Sequence, residues 1–337
     1  MESYAERLRN IICKEVNAQD YEHPLSDNHI IVDAGNGVGG FFAESVLKPL
    51  GADITGSQFL EPDGMFPNHI PNPENQEAMK SICNATVRAH ADLGIIFDTD
   101  VDRAGCVDKH GQPINRNRLI ALASYIALQN CPGGTIVTDS VTSDGLKYYI
   151  ESILGGHHHR FKRGYKNVIN ESLRLNREGT PSPLAIETSG HAALQENYFL
   201  DDGAYLMVKI IILMATLKKQ GQDLTDVIVP LPEPAESVEL RLKILHPNFA
   251  TYGHEVLSSL ETYANEQGWQ IAEDSHEGIR ISFDKNHGNG WLVLRLSVHD
   301  PEMPLNIESN QAGGCKRIYS HLKEFLSSKK LLSPNTI

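Results

Sequence analysis

Apolar residues along this chain fall into short continuous runs, separated by stretches with helical spacing. "HIIVD" at residues 29–33 leads into "AGNGVGG" and then "FFAESVLKPLG", which reads as strand, glycine turn, helix and terminal glycine. "ADLGIIFD" gives a second strand behind the helical "NPENQEAMKSICNATVRAH". "GGTIVTDS" at 133–140 begins a similar unit with "SDGLKYYIESIL" as its helix, and "PLAIETSGH" is a further strand ending in polar residues. Strands alternating with helices predict α/β domains built on parallel sheets, where ligands sit at the carboxyl ends of strands. Both "IIFDTDVDR" and "LAIETSGH" place a polar cluster there. The opening "MESYAERLRNIICKE" reads as an amphipathic helix without the apolar core of a signal peptide. The longest apolar run, residues 204–219, is interrupted by Lys209 and is too short for a bilayer, so it predicts a buried helix and no membrane partner.

The pattern changes at "VIVPLPEPAESVELRLKI", where three prolines within five residues precede an alternating strand. "GIRISFD", "GWLVLRLSVHD" and the helical "CKRIYSHLKEFLSS" follow, an α+β module of about one hundred residues. The expected division is 1–112, 113–231 and 232–337: two α/β domains, then a smaller α+β domain.

A length of 337 residues agrees with two or three domains. The net charge of −13 argues against a nucleic-acid partner, while a few local cations still suffice for a small anion. Cys13, Cys83, Cys106, Cys131 and Cys315 form no CxxC pair, which points to reduced thiols in a cytoplasmic or similarly reducing compartment. In "GGHHHR" three consecutive histidines cannot all face one ion, and the segment reads as an exposed turn.

The chemistry concentrates in a few stretches. An extended segment points alternate side chains the same way, so Asp98, Asp100 and Asp102 can present three carboxylates to one side. Hard divalent cations such as Mg²⁺ take such oxygen ligands. A calcium EF-hand is excluded, because its sixth and twelfth positions would be Arg103 and Lys109. Arg103 is then a fixed cation suited to a phosphate beside the metal. "GNGVGG" matches a dinucleotide fingerprint through Gly35, Gly37 and Gly40. Asp33 would face the pyrophosphate, however, and the acidic ribose partner has no clear counterpart, so tight strand-to-helix packing is the better reading. In "ETSGH", Glu187 and Ser189 can bind sugar hydroxyls and His191 can move a proton, although a satisfied turn histidine would look the same. "KRGYKN" offers Lys162, Arg163 and Lys166 as either a solvated basic turn or contacts for a substrate anion.

Together these pieces resemble the α-D-phosphohexomutase family, the phosphoglucomutases and phosphomannomutases. "DTDVDR" stands where that family has its magnesium loop, usually DGDGDR, and "ETSGH" looks like its sugar-recognition loop, usually GE-x-SGH. "DGMFPNHIPNPE" and "RGYKNV" also resemble family stretches, and the similarity runs from about residue 5 to about residue 328. The resemblance implies Mg²⁺-dependent phosphoryl transfer between the 1- and 6-positions of a hexose, with glucose 1,6-bisphosphate as activator. It implies Asp98, Asp100 and Asp102 as metal ligands, with His191 and Arg103 as catalytic residues. Glu187, Ser189, Lys166, Arg295, Ser297 and His299 would then contact the hexose phosphate.

Three departures qualify that expectation. No TASHNP-like stretch carrying the family's phosphoserine occurs, so the match is to its second to fourth domains, and a separate serine-bearing domain or chain is the expected partner. "RLSVHDP" replaces the usual R-x-S-(N/G)-T-E-P phosphate loop, with Val298, His299 and Asp300 in place of small or hydroxyl donors and glutamate. Val101 stands at the middle glycine of the metal loop. The alternative is a non-mutase protein that binds Mg²⁺ and a sugar phosphate for regulation or assembly.

Overall fold

β1 (Ile30–Asp33) and β2 (Leu93–Phe97) are buried along their whole length and pair in parallel. This is what continuous apolar runs predict for strands covered on both faces. The computed structural model describes residues 1–298 and 300–333, so His299 lies outside the described residues. β3 (Ala104–Asp108) turns back antiparallel to β2, and the two-residue β4 (Pro113–Ile114) pairs antiparallel with β3, giving the order β1-β2-β3-β4. α1 (Glu2–Val16) buries Ala5, Leu8, Ile12 and Val16, one stripe at helical spacing. α2 (Gln76–Ala89) starts at Asn75, whose side chain accepts the Ala78 N–H, and ends at His90 in the left-handed region.

A second sheet has the order β6-β5-β7-β8. It comprises β5 (Thr135–Thr138), β6 (His157–Arg160), β7 (Leu184–Ile186) and β8 (Ala192–Leu194). β5 and β7 run parallel and β7 and β8 antiparallel. Both sheets are therefore mixed, where the alternation of strands and helices predicted parallel ones. The histidine tract is another correction: it is strand β6, not an exposed turn. His158 is buried against the Thr138 hydroxyl at 2.8 Å, and His159 meets Glu171 at 2.9 Å. Alternation along a strand sends neighbouring rings to opposite sides. α3 (Arg116–Asn130), α4 (Asp144–Tyr148) and α5 (Tyr165–Arg177) flank these strands in sequence.

α6 (Gly203–Lys219) is the buried helix expected from residues 204–219. Asp202 caps it by accepting the Tyr205 N–H. Lys209, 4 % exposed, ends its side chain on Glu15 at 2.7 Å and Glu196 at 3.1 Å. Among the described residues no helix is long and apolar enough to cross a membrane.

Tertiary contacts group the chain into two units. The first holds residues 1–142, 146–159 and 164–231, and with them both mixed sheets except Arg160 at the end of β6. The second holds 143–145, 160–163 and 232–337. Its antiparallel sheet has the order β10-β11-β12-β13-β9, formed by β9 (Glu236–Lys243), β10 (Gln270–Ile271), β11 (Ile279–Phe283), β12 (Gly290–Leu294) and β13 (Glu302–Ser309). α7 (Phe249–Glu266) and α8 (Gly314–Ser328) close a core of Val256, Leu260, Ile281, Leu292, Leu305, Ile318 and Leu322. This is an α+β arrangement.

Candidate functional site

The two polar clusters of the first unit are hairpin turns. Residues 98–103 connect β2 to β3, and residues 187–191 connect β7 to β8. The turns are clipped together by backbone. Arg103 and His191 form an isolated antiparallel bridge, and the Ala104 N–H donates to the Gly190 carbonyl at 3.3 Å. Gly190 has φ +100°, and a Cβ there would lie 2.5 Å from the Ala104 carbonyl oxygen, so only glycine allows this approach. The start of α6 joins the same knot, where the Gly203 N–H donates to the Val101 carbonyl at 3.0 Å.

In the first turn, carboxylate oxygens of Asp98, Asp100 and Asp102 lie within 4.8 Å of one another. Asp98 is 1 % exposed and frames the loop. Its Oδ1 accepts the Val101 and Arg103 N–H groups at 3.0 and 3.1 Å, and its Oδ2 accepts Arg103 Nε at 2.9 Å. Burial, with Asp102 beside it, raises the Asp98 pKa against the pull of Arg103. Asp100 is exposed and Asp102 half-buried, yet Asp102 Oδ1 is a buried atom without a hydrogen-bond partner. Three converging carboxylates, one with an orphaned oxygen, fit a hard cation of the Mg²⁺ type. Arg103 is held in place at the same spot, by Asp98 and by Asp102 at 3.8 Å. Val101 sits at φ +71° with its side chain buried, a strained backbone for a β-branched residue.

In the second turn Glu187 is buried and accepts the Gly164 N–H at 2.5 Å, which brings the start of α5 to the turn. Ser189 Oγ reaches Glu187 Oε2 at 3.5 Å. His191 Nδ1 lies 2.8 Å from Asp201 and 3.6 Å from Asp102, and its ring stacks on Tyr165 at 5.0 Å. Burial opposes the imidazolium, but the Asp201 hydrogen bond and the charges of Asp201, Asp102 and Glu187 together hold the His191 pKa above its ordinary value. Lys166 is exposed, with Nζ over the Tyr165 ring at 5.7 Å. The first unit therefore gathers Asp98, Asp100, Asp102, Arg103, Glu187, Ser189, His191 and, through Tyr165, Lys166.

Sequence reasoning missed Asp139, Asp201 and Tyr165. Asp139, fully buried just past β5, accepts both the Thr188 N–H at 3.0 Å and its hydroxyl at 2.6 Å, and so anchors the second turn. Its signal was a lone aspartate at a strand's carboxyl end. Asp201 hides in the pair "DD", of which Asp202 alone serves as helix cap.

The glycines of "GNGVGG" are packing residues. A Cβ on Gly37 would stand 2.7 Å from the Thr99 carbonyl oxygen, and one on Gly40 2.1 Å from that of Leu60. Asp33 turns inward, accepting from the Gly35 N–H at 2.9 Å and Gln58 at 2.7 Å, with His69 Nε2 at 3.1 Å from both its oxygens.

Arg295 and Ser297 belong to the second unit, on the connection from β12 to β13. Arg295 is buried and faces Glu277 at 3.9 Å, and the Ser297 N–H donates to the Glu302 carbonyl at 3.0 Å. Val298 is 76 % exposed on this connection.

Two family models describe parts of this chain. They are phosphoglucomutase/phosphomannomutase alpha/beta/alpha domain II over residues 2–111 and domain III over residues 115–233. The chain is similar to a phosphoglucomutase of Neisseria gonorrhoeae, 29 % identical over 301 residues, which cover 89 % of this chain and 61 % of that protein. A solved phosphoglucomutase/phosphomannomutase family protein from Burkholderia thailandensis superposes with a TM-score of 0.77 at 26 % identity, covering 97 % of this chain and 64 % of that one. The N-acetylphosphoglucosamine mutase of Aspergillus fumigatus, solved with GlcNAc-6P and magnesium, shares the fold at a TM-score of 0.61 and 12 % identity, covering 97 % of this chain and 70 % of that one. The chain thus spans about three fifths of the length of its Neisseria relative.

Proposed function

Because the chain belongs to the phosphoglucomutase/phosphomannomutase family, we propose that it binds Mg²⁺ and a hexose phosphate and serves phosphoryl transfer between the sugar's 1- and 6-positions. The phosphoserine that carries the phosphoryl group would come from outside these 337 residues, on another part of a longer protein or on a separate chain. The observation that carries this reading is the backbone clip from Arg103 to His191, which sets a three-carboxylate turn against a turn bearing Glu187, Ser189 and His191.

Asp98, Asp100 and Asp102 would hold the metal, whose charge offsets that on a transferring phosphoryl group. Arg103, fixed by Asp98, adds a cation that cannot lose its proton. Glu187 and Ser189 would orient sugar hydroxyls. His191, held at Nδ1 by Asp201, would exchange the hydroxyl proton through Nε2. Lys166, Arg295 and Ser297 are the anion contacts in this reading, and glucose 1,6-bisphosphate is the activator.

The test is conversion of glucose 1-phosphate with Mg²⁺ and glucose 1,6-bisphosphate, by the chain alone and then with a separately supplied serine-bearing domain. No turnover alone and rescue by the added domain is the expected result. Robust turnover by the chain alone would overturn the serine assignment, and absence of any hexose-phosphate binding would overturn the whole reading. A second reading, binding for regulation or assembly without turnover, is favoured by the exposed Val298 in place of a donor in the phosphate loop. Retained binding without rescue would select it.

A further inference from the structure

His191 is held at one ring nitrogen, Nδ1, by Asp201 at 2.8 Å. That hydrogen bond selects which nitrogen faces the carboxylate, but it fixes one atom and leaves the plane of the ring open. Asp102, at 3.6 Å from the same nitrogen, is too far for a second hydrogen bond. The χ2 torsion of a histidine is broad and roughly two-fold, so the side chain's own rotamers do not set the plane either. A further restraint is needed before Nε2 has one direction. Tyr165 supplies it: its ring lies 5.0 Å from that of His191 at an interplanar angle of 21°. Offset stacking at this distance opposes rotation of either ring out of the parallel arrangement.

The placement of Tyr165 is built into the fold. It is the first residue of α5, directly after Gly164. The Gly164 N–H donates to the Glu187 carboxylate at 2.5 Å, and the Glu187 N–H donates to the His191 carbonyl at 3.0 Å. Gly164 makes its contact at φ +113°, a conformation that favours glycine. The start of α5 is thus tied to the very turn that carries the histidine. Among the described residues the Tyr165 hydroxyl has no hydrogen-bond partner, and the residue is 37 % exposed. Neither core packing nor a bond from the hydroxyl accounts for a tyrosine here, whereas the ring contact does.

We propose that Tyr165 is a positioning residue, whose ring face fixes the plane of the His191 imidazole while Asp201 fixes which nitrogen points inward. The ring carries this role and the hydroxyl does not. The kinetic consequence rests on the proposed function: an aimed Nε2 speeds proton exchange with the sugar hydroxyl, and sugar-phosphate binding, left to Glu187, Ser189 and the cations, is unaffected.

The experiment compares Tyr165→Phe, which keeps the ring, with Tyr165→Leu, which removes it. NMR of the chain alone, with His191→Gln to identify the signals, gives the first readout. In wild type and Tyr165→Phe the His191 ring protons are shifted upfield by the facing ring, and the ring carbons relax as rigid groups. In Tyr165→Leu the shift is lost and the ring is mobile on the picosecond-to-nanosecond scale. The wild-type shift, read against free histidine, reports the stack even should the leucine variant fold poorly. In the assay with the added serine-bearing domain, Tyr165→Leu lowers kcat about three- to tenfold, the rate equivalent of one aromatic pair. KM for glucose 1-phosphate stays within about twofold, and Tyr165→Phe restores kcat.

His191 signals that are unshifted in wild type, or equally rigid in Tyr165→Leu, would overturn the proposal on the chain itself. Equal losses of kcat in both variants would assign the role to the hydroxyl, and a raised KM at unchanged kcat would make Tyr165 a sugar contact. Either result overturns it, as does an unchanged kcat in Tyr165→Leu beside wild-type turnover. A wild-type mixture without turnover or hexose-phosphate binding, in which Tyr165 still orders the His191 ring, would sink the proposed function and leave the positioning role standing.

Discussion

Replacing His69 by glutamine should destabilise the first unit by an amount that depends on pH. His69 and Asp33 have side chains 3 % and 0 % exposed, so neither partner can fall back on water. The Asp33 carboxylate receives the Gly35 N–H, the Gln58 amide and the His69 ring. Removing a buried charged partner outright costs about 3–5 kcal/mol. Two donors remain on Asp33 here, so the loss is closer to that of one charge-assisted hydrogen bond, about 1.5–3 kcal/mol. For a unit of this size that lowers the melting temperature by roughly 4–10 °C.

The sign of the pH effect comes from the ring. The Asp33 hydrogen bond, against the opposing effect of burial, holds the His69 pKa above the ordinary 6.5. The charged pair therefore adds its full stability below the unfolded value and loses it as pH rises through the folded one. Far-UV circular dichroism melts of wild type and His69→Gln, run from about pH 6 to about pH 9, should show a gap that is widest at the acid end. A gap that stays constant or widens with pH would refute the argument, as would a difference below about 0.5 kcal/mol at pH 6.

Other sites give further expected outcomes. Asp100→Asn, at an exposed position, should weaken Mg²⁺ binding by about tenfold or more in calorimetry without lowering the melting temperature, and an unchanged affinity removes the metal assignment. Gly40→Ala forces a methyl to 2.1 Å from the Leu60 carbonyl oxygen and should cost about 1–3 kcal/mol in urea unfolding, whereas Gly64→Ala, with nothing within 4 Å, is the neutral control. Thr188→Val removes a 2.6 Å hydrogen bond to buried Asp139 and should cost about 1–2 kcal/mol, so equal stability would show that the anchor is unimportant. Lys209→Met should be near neutral or stabilising, because Glu15 and Glu196 are each 37 % exposed and regain water. A loss above about 3 kcal/mol in urea would contradict this.

The strands that end in chemistry were legible because continuous burial writes itself as continuous apolarity. "LGIIF" and "LAI" could be placed as strands, and the polar residues after them could be picked out as candidates at the strand ends. The direction of the next strand is not written in that pattern. Ala104–Asp108 and Ala192–Leu194 return antiparallel, and a sequence of small apolar residues carries no sign of direction. β13 is hidden for a different reason: Pro304 reads as a strand breaker, yet it lies inside an eight-residue strand paired on both sides, opposite Arg241. The histidine tract misled because three polar rings suggest solvent, while β6 buries one of them on a threonine. Asp139 and Asp201 stayed out of sight because their partners, Thr188 and His191, lie 49 and 10 positions away, and only the fold brings those side chains together.

The bridge between Arg103 and His191 also limits how this region can vary. Because each turn is pinned to the other by main-chain atoms, side chains in either, Gly190 excepted, can be exchanged without moving the clip. Chain length cannot be changed so freely. One residue inserted into 98–103 or 187–191 would carry one end of the bridge out of register with the other, whatever the inserted residue's chemistry. The tolerated variants of these two turns are therefore substitutions at positions other than Gly190.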